Sequence, residues 1–107
     1  MAKILALSSD LLLGSKVEAI LKAAGHDTTL APSLQEASMD DVELIVADLE
    51  AINPEALVGL GVPILGYYSH LNAEAKEASE AAGIDLAVPR SRMSRELPTL
   101  VSKLLGG

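Results

Sequence analysis

The sequence predicts an α/β fold in which a doubly wound, five-stranded parallel sheet, order 2-1-3-4-5, lies between two layers of helices. Three observations lead to it. Short runs rich in Val, Ile and Leu alternate with segments whose apolar residues recur every three or four positions; strand and helix taking turns implies parallel pairing and right-handed crossovers. The run DVELIVAD, Asp41 to Asp48, is apolar at successive positions, as a strand covered on both faces must be, and so marks the centre of the sheet. Capping residues punctuate the helical segments where the periodicity changes.

In order along the chain, Lys3 to Leu7 (KILAL) reads as a buried strand, and Ser8, Ser9 and Asp10 supply helix N-caps. Leu13, Val17, Ile20, Leu21 and Ala24 fall on one face of a helix over 11–24, closed by Gly25 as a left-handed cap. His26 to Ala31 is more polar and is read as an edge strand. Ser33 and Glu36 have capping-box spacing, which predicts a short helix over 33–38 before the acidic turn at Met39 to Asp41. After the central strand, Asn53 and Pro54 open a second abbreviated helix over 54–60. Val62 to Tyr68 (VPILGYY) is the fourth strand, Asn72 caps a helix over 73–82 that Gly83 closes, and Asp85 to Val88 is the last strand. Pro89 to Ser94 is read as a loop, and the final helix as running from near Arg95 to Leu105, with Pro98 acceptable only in its first turn.

Composition narrows the function classes. The chain has 107 residues, enough for one domain and one core. A net charge of −7 with eight basic residues argues against nucleic acid, whose affinity comes from clustered Lys and Arg. With no long apolar run and no secretory leader, membrane insertion or export is not expected, and the absence of Cys fits a cytoplasmic setting. Two His residues are too few for a His-rich metal site, and two Tyr residues leave little for stacking a flavin or nucleobases.

Open parallel sheets bind ligands beyond the carboxyl ends of their strands, which places Asp48 where chemistry is expected. Ser8, Ser9, Arg90 and Arg92 offer hydroxyls, free N–H groups and guanidinium for a possible anion pocket, against which stands ordinary capping with solvated arginines. Arg90, Arg92 and Arg95 form a basic patch in an acidic protein, suited to an acidic partner. Ser69, His70 and Asp48 hold the atoms of a hydrolytic triad, but the serine lacks a nucleophile elbow and sits beside its histidine in sequence, so no enzymatic activity is expected. Tyr67 and Tyr68 face opposite sides of the sheet, one in the core and the other at the mouth of the site.

These stretches resemble the CheY-like receiver domains of two-component response regulators. Lys3 to Gly25 lies on the receiver pattern without a gap, VELIVADLE resembles the strand bearing the phospho-acceptor aspartate, VPILGYYSH the fourth strand, and AAGIDLAVPR the approach to the fifth. The resemblance implies a single receiver-like domain over 1–107, a flavodoxin-like three-layer sandwich with shortened second and third helices. It also implies a phosphoryl site in which a magnesium ion bridges carboxylates to the transferring group. The two acidic residues the family uses to hold that ion fall on Ser8 and Ser9, its hydroxyl position on Tyr68 with Ser69 next to it, and its aromatic switch on Ala87. Its lysine falls on Arg90 in a gapless register, or on Val88 if Pro89 matches the family's proline; Asp48 is kept in both.

The expectation is therefore an atypical or pseudo-receiver: a non-catalytic signalling or scaffold domain that binds another protein, without metal or cofactor. Two alternatives stay open. One is a phospho-accepting receiver that uses Asp48 with Mg²⁺; the other is a small-anion or nucleotide sensor at the carboxyl edge of the sheet. The apolar residues Leu97, Leu100, Val101, Leu104 and Leu105 of the last helix leave homodimerisation possible, although burial on the sheet accounts for most of them.

Overall fold

A computed structural model, which describes residues 2–106, forms one parallel sheet in the order β2-β1-β3-β4-β5, as the sequence predicts. The strands are β1 (Lys3–Leu7), β2 (Asp27–Ala31), β3 (Leu44–Asp48), β4 (Ile64–Tyr68) and β5 (Leu86–Pro89). The helices are α1 (Leu11–Ala23), α2 (Pro54–Val58), α3 (Ala73–Ala82) and α4 (Arg90–Leu104). Central β3 is buried at all five positions, because helices cover both of its faces. The register sets Leu7 beside Ala47, Asp48 beside Tyr67 and Tyr68 beside Pro89, so the carboxyl ends of four strands finish along one edge.

Side chains alternate between two cores, as a period of two requires. On one face, Ile4, Leu44, Val46, Leu65 and Tyr67 pack under Val17 and Leu21 of α1 and Met93, Leu97, Leu100 and Val101 of α4. On the other, Leu5, Leu7, Ile45, Ile64 and Tyr68 meet Leu49, Ile52 and Leu57. Each fully buried Leu or Ile contributes about 1.5–3 kcal/mol, so these two layers hold the sheet in place. The apolar face of α4 is thus used within the chain; what it turns outward is Ser91, Arg95, Pro98, Thr99, Ser102 and Lys103.

Several helix ends follow the sequence closely. Asp10 caps α1 by accepting from the N–H groups of Leu12 and Leu13, Asn53 caps α2, and Asn72 caps α3. Gly25 and Gly83 adopt φ of +92° and +89°, values that a side chain would strain.

Three expectations are corrected. The helix expected over 33–38 is a single 3₁₀ turn, Leu34–Glu36, and Ser33 makes no capping bond. Leu34, Ala37, Met39 and Val42 instead turn inward to close the second core, which commits the segment to an irregular path. The segment expected as helix over 54–60 ends at Val58, before Gly59. There is no loop over 89–94: β5 passes directly into α4, with Pro89 as N-cap and Arg90 as the first helical residue. Met93 is buried one turn ahead of Leu97 and extends the apolar stripe that draws the helix onto the sheet. Pro98 consequently lies well inside α4, on its exposed face, where it leaves the Ser94 carbonyl without a helical N–H partner. No helix among the described residues is long and apolar enough to cross a membrane.

Candidate functional site

The site lies at the carboxyl edge of β3, where Asp48 is only 3% exposed. The turn that follows is fixed by backbone and packing together. Leu49 N–H donates to the Tyr67 carbonyl (2.9 Å), and the Leu49 side chain lies over Gly66 of β4. A Cβ at position 66 would stand 2.6 Å from Leu49 Cγ, so glycine is what lets the chain turn this tightly after Asp48. Asp48 Oδ1 then accepts from Glu50 N–H (3.0 Å), which aims the Glu50 side chain across the site.

Glu50 gathers groups from the loop after β4 and from the start of α4. Its Oε1 accepts from Ser69 N–H at 3.0 Å and lies 3.0 Å from Arg90 Nη2; its Oε2 accepts from Asn72 Nδ2 at 2.8 Å. Arg90 Nη2 is 3.9 Å from Asp48 Oδ2, a looser ion pair than the one with Glu50. The buried Nε of Arg90 has no hydrogen-bond partner among the described residues. Burial is the largest influence on Asp48 and raises its pKa above the ordinary value; the Glu50 N–H and Arg90 pull the other way. For Glu50 the balance is reversed, because the bond from Asn72, more than Arg90, holds its carboxyl below the usual range.

Of the residues singled out in the sequence, Asp48 and Arg90 are brought together. Arg90 therefore occupies the position beside Asp48, and Val88, the other register, is buried in the first core. Ser8 is buried at the end of β1, with Oγ between the carbonyl and N–H of Asp10, whereas Ser9 is exposed. Asp10 is committed to capping α1. Arg92 points away from the site and pairs with Glu96 at 3.4 Å, so Ser9 and Arg92 do not join Arg90 in one pocket. Ala87 is partly buried against the second core.

The tyrosines differ from expectation, because neither lies open at the mouth of the site. Tyr68 is buried in the second core. Tyr67 is buried in the first, at the Asp48 register position of β4, and burial, with a smaller push from Asp48, drives its pKa up to about 12. Ser69, His70 and Asp48 do not assemble as a triad: Ser69 Oγ accepts from Leu71 N–H (3.4 Å) and His70 is exposed. His26 is a structural residue whose Nδ1 accepts from Ala2 N–H at 3.2 Å.

Glu50 and Asn72 were not legible as site residues. The one available signal was the order Asp-x-Glu at a strand end, since a carboxylate two residues past Asp48 can fold back over it.

No protein-family model matches the chain, and no curated protein matches it. Solved structures do. A CheY-like response regulator receiver domain protein from Methanospirillum hungatei superposes with a TM-score of 0.82 at 18% identity, over 99% of this chain and 94% of that one. The non-phosphorylated HemR receiver domain from Leptospira biflexa gives 0.79 at 17% identity, over 100% and 96%. The receiver domain of NtrX from Brucella abortus gives 0.83 at 16% identity, over 96% and 98%. At these identities the likeness is one of fold: the chain adopts the architecture of response regulator receiver domains, from end to end.

Proposed function

We propose that this domain is a receiver-like signalling or scaffold module that acts by binding another protein and not by taking up a phosphoryl group. The observation that carries this reading is the prior commitment of every carboxylate near Asp48. Asp10 caps a helix, Glu50 is tied to Ser69, Asn72 and Arg90, and the end of β1 offers only the hydroxyls of Ser8 and Ser9. Divalent magnesium sheds its water shell only for a set of free oxygen ligands with negative charge, and this donor set does not fit it. Asp48 itself is buried, beside the guanidinium of Arg90. A protein partner is favoured by exposed leucines at the same edge: Leu11, Leu12 and Leu71 are 70, 87 and 83% exposed. A cytoplasmic setting belongs to the same reading.

The second reading, phosphoryl acceptance at Asp48, draws on the nearness of Arg90, which offers positive charge to an incoming phosphoryl group. The two separate in one experiment. The protein is incubated with Mg²⁺ and acetyl phosphate, or with beryllofluoride, and its mass and amide spectrum are recorded. No adduct and no Mg²⁺-dependent shift are expected; a Mg²⁺-dependent adduct that disappears in Asp48→Asn would establish the second reading instead.

A further inference from the structure

We propose that Arg90 is the moving part of a two-position latch. Glu50, the first seat of Arg90, fastens the 69–72 loop and the start of α3; when Glu50 is drawn away, Arg90 passes to Asp48 and the loop and helix are let go.

Glu50 is the fastening. Its carboxylate meets the backbone of Ser69, the side chain of Asn72 and the guanidinium of Arg90, while Asn72 caps α3 through Ala75 N–H at 3.0 Å. One side chain thus joins the turn after β3, the loop after β4 and the first residue of α4. Helix α3 has little else to hold it. Its sequence, AEAKEASEAA, brings mainly small side chains to the sheet, only Ser79 among its ten residues is buried, and the Ser79 hydroxyl turns back on the Ala75 carbonyl (2.7 Å). An element with so little buried apolar surface belongs to the low end of local stability.

Asp48 is the second seat. The buried Arg90 Nε has no partner among the described residues, and Nη2 stands 3.9 Å from Asp48 Oδ2, beyond hydrogen-bond length. A shift of about an ångström toward Asp48 lets Nε and Nη2 fork onto its carboxylate, the paired geometry that guanidinium favours. That move satisfies the orphaned donor and gives a buried acid a close counter-charge, at the expense of the Glu50 contact. The two arrangements exchange one ion pair for another, so a basic side chain that captures Glu50 would tip the balance and loosen α3. As a means of showing a surface to a partner, the latch rests on the protein-binding reading above; as a property of the chain it does not.

The test uses the full chain and neither partner nor phosphoryl donor, so its failure and that of the protein-binding reading are separable. Hydrogen exchange is compared for wild type, Glu50→Ala and the surface-pair control Glu96→Ala. Glu50→Ala is expected to speed exchange over 69–82 by about tenfold, leaving β1 to β3 and the control unchanged. In parallel, the Asp48 carboxyl is titrated by NMR. Its midpoint is expected to fall in Glu50→Ala, and to fall by more than the same substitution produces in an Arg90→Ala background, where only the loss of the Glu50 charge acts. Unchanged exchange over 69–82, or equal falls in both backgrounds, would overturn the latch.

Discussion

At residue scale, Thr28 and Asp48 show opposite sides of the cost of burying polar atoms. Thr28 faces the interior from the edge strand β2, and its buried Oγ1 has no partner among the described residues. Valine has the same shape without the hydroxyl, so Thr28→Val is expected to raise unfolding free energy by about 1 kcal/mol in urea titration. Asp48 keeps its polar contacts but is poorly compensated, and its pKa lies above the ordinary 3.8. The folded protein then holds that proton more tightly than the unfolded chain, so this group makes stability fall as pH rises through the window just above 3.8. Asp48→Asn is expected to remove that decline: the variant should be more stable than wild type at neutral pH and converge with it in acid, as read by denaturation at several pH values. Glu50 acts in the other direction, because its carboxyl is held below 4.5 and its stabilisation is lost as pH falls through that window. Asp48 and Arg90 were legible in the sequence, one from strand polarity and the other from the receiver-like register. The Glu50 contacts were not, since they depend on a side chain reaching across to other loops, which no local pattern records.

At the scale of elements, legibility follows the caps. Asp10, Asn53 and Asn72 do in the structure what their residue types announce, and the helices they open begin where expected. The failures come where a local signal competes with burial. Ser33 and Glu36 have the spacing of a capping box, but the inward pull on Leu34 and Ala37 leaves one 3₁₀ turn. Pro98 looked like a first-turn residue, yet the stripe that begins at Met93 places it mid-helix. Because Pro98 is exposed and no packing depends on its ring, Pro98→Ala is expected to restore the bond to Ser94 and raise stability by about 1–3 kcal/mol in thermal or urea unfolding. A loss of stability would mean that the break in helical bonding at Pro98 is needed to seat Leu100 and Val101.

At the scale of the whole molecule, alternating strand and helix signals were enough to order the sheet, because handedness and parallel pairing leave few arrangements. Net charge is another property that no single contact reports. At −7 the folded chain repels itself, and raising ionic strength from a few millimolar to about 0.15 M is expected to raise the unfolding temperature. A fall would show that pairs such as Arg90 with Glu50 outweigh the net repulsion. The joint between β5 and α4 has a consequence for how such a chain can vary. With no spare residue between the last strand and the first helical turn, the chain itself acts as a ruler that sets where the guanidinium lands. One inserted residue would swing it about 100° around the helix axis. Length can drift in the segment between β2 and β3, but at this joint a single added codon would dismantle the site while leaving the architecture standing.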